Sequence, residues 1–167
     1  MKIYWEIEMM KNKNVNVIYI ILIVISIIIS GCMEKSVYSP KTGTILKNTV
    51  SDGNGMLKII NRFSDDSVVV LTRSNDSNIS VLSVYIRSHD SYTINNISDN
   101  SYKLYYKLGE YWNNDSGKFS VTKENSKFDK EWTYSPTVNH TIMYTVVLDM
   151  TQGNAKKVHI YPENFPK

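Results

Sequence analysis

The stretch Val81-Leu82-Ser83-Val84-Tyr85-Ile86-Arg87 places an apolar side chain at every second position. Because successive side chains of an extended chain point to opposite sides, Leu82, Val84 and Ile86 would share one face of a strand. The stretch Tyr102-Lys103-Leu104-Tyr105-Tyr106-Lys107-Leu108 repeats this pattern. Such a period of two is typical of a β-strand that buries one face in a hydrophobic core.

Short runs of β-branched and aromatic residues continue through the chain after Gly55, separated by turn-forming Asn, Ser, Asp and Gly. No segment after Cys32 shows the apolar stripe of an amphipathic helix. Short strands with turns at intervals of about eight to twelve residues favour a sandwich. We therefore predict an all-β fold, a single antiparallel β-sandwich. The candidate strands are Met56–Arg62, Ser67–Arg73, Ser80–Arg87, Ser91–Ile94, Tyr102–Leu108, Phe119–Thr122, Trp132–Tyr134, Ile142–Met150 and Lys156–Tyr161, with a long hairpin or loop over residues 113–130.

A different pattern occupies the beginning of the chain. From Val17 to Ile29 every residue is apolar except Tyr19 and Ser26, and Lys11 and Lys13 precede this run. A cationic segment followed by an apolar run is the layout of a secretory signal peptide. An uncleaved membrane anchor is the alternative, but the run is shorter than the roughly twenty residues that span a bilayer core.

The apolar run ends in Ile29-Ser30-Gly31-Cys32, and Cys32 is the only cysteine of the chain. This sequence resembles the lipobox of bacterial and archaeal lipoproteins. The resemblance implies that Cys32 receives a diacylglyceryl-type lipid on its sulfur and that the chain is cleaved after Gly31. The protein would then be exported and held at the outer face of the cell membrane, because several acyl chains together bind a bilayer firmly.

The chain is thereby expected to divide into three parts. Residues 1–31 form the lipoprotein signal peptide, residues 32–54 the lipidated cysteine and a flexible tether, and residues 55–167 the β-sandwich domain. The tether is predicted because residues 33–54 are polar, contain Pro40, Gly43 and Gly53, and show no sustained period. Trp5 and the acidic residues around it are unusual in a signal peptide, so translation starting at Met9 or Met10 is an alternative to Met1.

The charged residues exclude several classes of function. The formal net charge is only +3, and the pair Lys156-Lys157 is the longest basic run after Cys32, which does not indicate a nucleic-acid-binding stripe. His89, His140 and His159 are far apart and lack the spacing of zinc ligands. The acidic residues Asp65-Asp66 and Asp99 lie in predicted turns, without the regular spacing of a calcium loop. We therefore predict no metal and no cofactor.

Nor does the chain contain a recognisable set of catalytic residues. No serine lies in a Gly-x-Ser-x-Gly motif, and a lipidated Cys32 is lost as a nucleophile. The sequence therefore predicts a protein that is not an enzyme. A hydrolase whose catalytic groups meet only in the folded protein remains an alternative.

Aromatic residues are the other candidate source of function. Tyr105, Tyr106, Tyr111 and Trp112 lie within eight residues of one another. Such a group is able to stack on sugars or other small ligands, or to form a protein-binding patch. Core packing is the alternative, because Tyr105 and Tyr106 would face opposite sides of a strand and one of them would enter the core.

Five Asn-x-Ser/Thr sequons are candidate glycosylation sites on an exported protein. We expect all of them in turns or loops, where a glycan fits. They begin at Asn75, Asn78, Asn96, Asn114 and Asn139.

Two further resemblances concern the predicted domain. Residues Val84–Ile94 and Ile97–Leu104 are similar to the strand, turn and strand pattern of prealbumin-like and carboxypeptidase-regulatory-like sandwich modules, with Asn100 and Ser101 where the pattern prefers glycine. The order and spacing of a second set of residues resembles an uncharacterised domain of bacterial and archaeal lipoproteins. That set is Tyr102, Gly109-Glu110-Tyr111-Trp112-Asn113, Phe128, Gly153-Asn154-Ala155 and Phe165. These resemblances imply a prealbumin-like or immunoglobulin-like sandwich and no particular activity.

The sequence as a whole therefore predicts a cell-surface lipoprotein that serves as a non-enzymatic interaction or spacer module. Its expected partners are the membrane, through the lipid on Cys32, and an unidentified protein or glycan. The alternative is a glycan- or small-ligand-binding protein that uses the aromatic group from Tyr105 to Trp112.

Overall fold

The structure is a computed structural model that describes residues 39–50, 52–135, 141–149 and 156–167. The predicted signal peptide, Cys32 and the sequon at Asn139 lie outside these residues. Within them no helix is long and apolar enough to span a membrane. The described elements are β1 Thr44–Asn48, β2 Gly55–Asn61, β3 Asp66–Arg73, β4 Asp76–Ile86, β5 Ser91–Ile97, β6 Asn100–Asn113, β7 Lys118–Tyr134, β8 Met143–Leu148, β9 Lys157–His159 and a 3-10 turn at Pro162–Asn164.

These strands form two sheets. The large sheet has the order β1-β4-β3-β6-β7-β9, and every neighbouring pair in it is antiparallel. The small sheet has the order β5-β2-β8, in which β2 is antiparallel to β5 and parallel to β8. The predicted all-β sandwich is confirmed, with one parallel pair that the sequence did not indicate.

The main core lies between the two sheets. The small sheet contributes Leu57 and Ile59 from β2, and the large sheet contributes alternate residues of β4 and β6. Leu82, Val84 and Ile86 are all fully buried there, as their period of two predicts. Burial of this apolar surface is the main force that holds the sheets together.

A second apolar cluster covers the opposite, outer face of the large sheet. It contains Val68, Val70, Tyr85, Tyr105, Trp112, Phe119, Ile160 and Phe165. The C-terminal segment from Ile160 to Lys167 is part of this cover, and it is fixed to β4 by hydrogen bonds from the amide of Lys167 to the carbonyl of Asn78 (3.0 Å) and from the amide of Ser80 to the carbonyl of Lys167 (2.8 Å). Both faces of the large sheet are therefore buried along β3.

The prediction of a flexible tether over residues 32–54 was wrong for its second half. Residues Thr44–Asn48 form β1, which pairs with β4 at the edge of the large sheet. The Arg87 guanidinium fixes the chain just before β1, because its Nε donates to the carbonyl of Pro40 (2.9 Å) and its Nη2 to the carbonyl of Ser39 (2.7 Å). Sequence reasoning missed β1 because an edge strand with mostly exposed side chains shows no period; Ile45 is 41% exposed.

The stretch from Asn113 to Lys130 is a hairpin, which was one of the two predicted forms. Its second arm is the continuous strand β7, so the separate strands predicted at Phe119–Thr122 and Trp132–Tyr134 are parts of one element. Pairing with β6 provides its backbone hydrogen bonds although many of its side chains are polar and exposed. Gly109 lies where the two arms come closest, since a Cβ there would lie 2.5 Å from the Phe119 ring and 2.5 Å from the carbonyl of Val121.

A polar network around Glu124 borders the main core. The Oε1 atom of Glu124 accepts hydrogen bonds from Tyr106 (2.9 Å) and Ser126 (2.6 Å), and it lies 3.0 Å from Nζ of Lys157. Burial acts to raise the pKa of Glu124, but the bonds from Ser126, Lys157 and Tyr106 outweigh it and lower that pKa below its ordinary value. Glu124 is thus held ionised, and every donor around it has an acceptor.

Removing Phe165 tests the outer cluster. Phe165→Ala should lower the free energy of unfolding by about 3 kcal/mol, because it removes a buried ring. Tyr161→Ala is the matched control, since Tyr161 is 68% exposed in the same segment, and it should change stability by less than about 0.5 kcal/mol. Urea unfolding measures both values. Equal effects of the two substitutions would contradict the described cover of the outer face.

Neutralising Glu124 tests the polar network. Glu124→Gln should lower the free energy of unfolding at neutral pH by about 1–3 kcal/mol, because buried donors lose their charged acceptor. Since the folded pKa lies below the unfolded one, the stabilisation is present above about pH 4.3 and is lost as the pH falls through the folded pKa. The difference in the free energy of unfolding between wild type and Glu124→Gln should therefore disappear at acidic pH.

The control for Glu124 is Glu131→Gln, which removes a carboxylate whose side chain is 48% exposed. Its effect should stay below about 0.5 kcal/mol at all pH values. Two results would show that the network contributes no stability. One is that Glu124→Gln and Glu131→Gln have the same free energy of unfolding. The other is that the loss of this free energy in Glu124→Gln does not depend on pH.

Candidate functional site

A cleft of about 200 Å³ opens on the outer face of the large sheet. Its floor is formed by Val68 and Val70, which point outward because they alternate with the core-facing residues of β3. Trp112 and Phe119, from either side of the β6–β7 turn, form one wall. Phe165 and the residues after it form the other. Residues of β1, β3, β4, the β6–β7 hairpin and the C-terminal segment thus meet around this space.

The wall beside the β6–β7 turn is a packed aromatic group. The Trp112 ring meets the Tyr85 ring edge-on with 5.1 Å between centroids, and it meets the Phe119 ring edge-on at 5.2 Å. The Tyr85 hydroxyl donates to Oδ2 of Asp66, while Oδ1 of Asp66 accepts the amide of Ser88 (2.8 Å). Burial and this carboxylate raise the pKa of Tyr85, so its hydroxyl keeps its proton and remains a donor. The wall is therefore fixed by both packing and hydrogen bonds.

Three lysines line the cleft, Lys107, Lys118 and Lys167. Lys107 extends from β6 to the cleft, with Nζ 4.1 Å from the centroid of the Phe165 ring, and Lys118 lines the cleft from the start of β7. Burial lowers the pKa of Lys107 below its ordinary value, and the positive charge of Lys118 lowers it further. Neither Lys107 nor Lys118 forms an ion pair with a described acidic residue. No described Asp or Glu lines the cleft, so the charges of Lys107 and Lys118 have no acidic side chain opposite them there.

The structure distributes the predicted aromatic group over three places. Tyr106 is fully buried in the main core, whereas Tyr105 packs on the outer face against Phe165, with 6.1 Å between ring centroids. The prediction that Tyr105 and Tyr106 face opposite sides is confirmed. Tyr111 is 53% exposed and has a φ of 57°. Of the four side chains, Trp112 is the one that lines the cleft.

Sequence reasoning missed Lys107, Lys118, Phe119 and Phe165 as parts of a site. The alternation in β6 does contain a signal, because it places Lys107 on the same face as Tyr105. The contribution of Phe165 was not predictable in this way, since the C-terminal segment has no period that would place it over β3. The continuous apolar run Val68-Val69-Val70-Leu71 was the signal for a strand buried on both faces.

An acidic cavity of about 300 Å³ lies near the start of β1, lined by Ser39, Asp65 and Glu110 among others. Lys123 pairs with two of the three carboxylates there, Glu110 and Asp65 (2.6 Å), and these bonds raise its pKa to about 12. The exposed Tyr111 lines the same cavity. Asp66, which also lines the cavity, accepts hydrogen bonds from Tyr85 and Ser88, so each of the three carboxylates has a partner within the protein.

The other predicted sites are less concentrated. His89 lies in the turn after β4 and His159 lies in β9, while His140 is outside the described residues. Among the residues that the structure describes, no cluster of three or more His, Cys, Asp or Glu side chains is arranged to hold a metal ion.

The sequons lie in two kinds of structure. Asn75 and Asn114 are exposed in turns, as predicted, whereas Asn78 lies in β4 and Asn96 in β5. The expectation that all sequons lie in turns was therefore wrong for Asn78 and Asn96. Both are nevertheless exposed, because they lie on the solvent side of their strands.

Comparisons of the chain with protein-family models, with curated proteins and with solved structures found no match. The resemblances to a lipobox and to prealbumin-like modules therefore remain predictions from the sequence. The chemistry of the cleft has to be argued from its own residues.

The coupling between the two lysines is directly measurable. Lys118→Gln should raise the pKa of Lys107 toward its ordinary value, because it removes a neighbouring positive charge. The measurement is a titration of the lysine side chains followed by nuclear magnetic resonance. Lys103→Gln, on the same strand but paired with Glu131, is the control and should leave the pKa of Lys107 unchanged. A pKa of Lys107 that does not respond to Lys118→Gln would show that the lysines are not neighbours.

Proposed function

We propose that this chain is an exported, lipid-anchored interaction module displayed at the outer face of a cell membrane. The observation that carries the proposal is the apolar run Val17 to Ile29 followed by Gly31-Cys32, the one cysteine of the chain. A signal peptide delivers the chain across the membrane and the lipid on Cys32 retains it there. The β-sandwich is the part that the anchor presents to the surroundings.

The start of the folded body sets the length of the tether. Ser39 is bound by Arg87, and it lies seven residues after Cys32. An extended chain covers about 3.6 Å per residue, so the body is held within about 25 Å of the lipid. This tether is much shorter than a tether that continued to Asn54.

The point where the tether joins the body is far from the opposite end of β4. Ser39 lies beside the end of β4 that carries Arg87, and the turn at Ser74-Asn75 lies at the opposite end of the same strand. Since β4 has 11 residues and strands rise about 3.3 Å per residue, the two ends are about 30 Å apart. The turn with the Asn75 sequon therefore lies at the end of β4 opposite to the end where the tether joins the body. Loops at that end are the natural contact surface for an external protein or glycan.

The polar side chains inside the body support an interaction module more than an enzyme. Asn61 is buried, and its amide nitrogen donates to the carbonyls of Asp65 (2.9 Å) and Arg87 (3.1 Å). Its oxygen accepts the amide of Phe63 (3.1 Å). Glu124 likewise serves the packing around Tyr106. These groups hold loops and strands together, which accounts for their burial without a catalytic role.

A second candidate function is the binding of a small ligand, and the cleft beside Trp112 favours it. Its apolar floor and the lack of a described acidic side chain opposite Lys107 and Lys118 distinguish it from the rest of the described surface. This function is compatible with the first, because a displayed module is able to carry a ligand site.

The anchor is tested by Cys32→Ser in an organism that processes lipoproteins. The variant should be released into the medium or accumulate as an uncleaved precursor, because no thiol is available for lipid. Fractionation and mass spectrometry of the purified chain distinguish these results. Ser30→Ala is the control, since it keeps a small residue before the cysteine and should be processed like wild type.

Two results would contradict the anchor. One is a free, unmodified thiol at Cys32 in the wild-type protein. The other is normal cleavage and membrane retention of Cys32→Ser.

A further inference from the structure

We propose that the cleft beside Trp112 binds a small organic anion from solution, in which one carboxylate is attached to an aromatic or short hydrocarbon body. The hydrocarbon would lie on Val68 and Val70 between the aromatic walls, and the carboxylate would lie at Lys107 and Lys118. This site belongs to the folded body and does not depend on the lipid at Cys32.

The apolar side chains of the cleft would contact the hydrocarbon body of the ligand. Val68 and Val70 form the floor, and Trp112 and Phe165 face each other across it as walls. Trp112 is only 8% exposed, because its ring packs against Tyr85 and Phe119, so it offers the cleft a small part of its surface. A flat ring or a short chain would bury its surface against these side chains, and each buried methylene contributes about 0.8 kcal/mol.

The proposed binding of the ligand carboxylate depends on Lys107 and Lys118. Burial weakens the hydration of the partly buried Lys107, and the exposed Lys118 places a second positive charge near it. The Phe165 ring holds the ammonium of Lys107 at 4.1 Å. No described Asp or Glu side chain lines the cleft to compensate these charges. A ligand carboxylate would supply the missing negative charge, and the lysine positions would orient it.

Size and polarity narrow the class of ligand. Pockets for drug-sized ligands typically enclose about 300–1,000 Å³, so a cleft of about 200 Å³ admits a smaller molecule, such as one ring with a short acidic arm. An oligosaccharide would need more space and more hydroxyl partners. Ser80 and Ser83 are the hydroxyl residues of the lining, and the Oγ of Ser80 already donates to the carbonyl of Lys167 (2.7 Å). The cleft thus favours an amphipathic anion over a neutral sugar.

The acidic cavity beside Ser39 carries no comparable inference. Asp65 and Glu110 are paired with Lys123, and Asp66 accepts hydrogen bonds from Tyr85 and Ser88, so each of its three carboxylates already has a partner. The contrast between the two cavities identifies the lysine cleft as the stronger candidate.

The test uses the full chain in nanodiscs of phosphatidylcholine and isothermal titration calorimetry with cinnamate as the probe. Cinnamamide, which has the same body without the charge, should bind at least about tenfold more weakly. Acetate, which has the charge without the body, should show no saturable binding. These comparisons need only the wild-type protein, so they remain valid if a variant fails to fold.

Variants then locate the site. Lys107→Gln combined with Lys118→Gln should weaken cinnamate binding at least about tenfold. Lys103→Gln removes a lysine from the same strand outside the cleft and should bind cinnamate like wild type. Cys32→Ser should also bind cinnamate like wild type, so failure of the anchor and failure of the cleft are separate results.

Four outcomes would overturn the proposal. They are the absence of saturable cinnamate binding to wild type, equal binding of cinnamate and cinnamamide, and unchanged binding by the double lysine variant. The fourth is loss of cinnamate binding when phosphatidylglycerol is added to the nanodiscs, because an anionic lipid would then be the occupant instead of a molecule from solution.

Discussion

The structure depends on the burial of β3 on both of its faces. Every residue from Ser67 to Thr72 is buried, because the small sheet covers one side and the second apolar cluster covers the other. An antiparallel sheet commonly leaves one face in water, so this cover has to come from elsewhere in the chain. It comes from the C-terminal segment after Ile160 and from the β6–β7 hairpin. The large sheet therefore supports two cores at once.

The candidate site is a consequence of this double burial. A sheet covered by another sheet packs without large gaps, whereas the outer cover consists of a hairpin and a single irregular segment. These two parts meet Val68 and Val70 without closing over them completely, which leaves the cleft. The stem of Lys107 contributes to the same apolar surface while its charge stays at the rim, as long basic side chains commonly do. An apolar floor and a positive rim thus arise from one arrangement.

The strands were predicted from the sequence more accurately than the burial of their two faces. The alternation in β4 correctly identified Leu82, Val84 and Ile86 as core residues. The same alternation does not tell whether the other face meets water or a second cluster, so the burial of Tyr85 and Tyr105 on that face was not predictable from it. Strand β1 was missed because its side chains are mostly exposed, and β7 was divided because its polar residues resemble a loop. Cys32 and the signal segment lie outside the described residues and remain predictions.

The central claim is that the C-terminal segment covers the outer face of the large sheet. The most direct test is a nuclear Overhauser experiment on the labelled full-length protein that observes the ring of Phe165. We expect cross-peaks from this ring to the Tyr105 ring and to the side chain of Lys107, since the structure places both against it. A Phe165 ring that shows neither contact while β3 and β6 remain paired would contradict the account, because the outer face would then be uncovered.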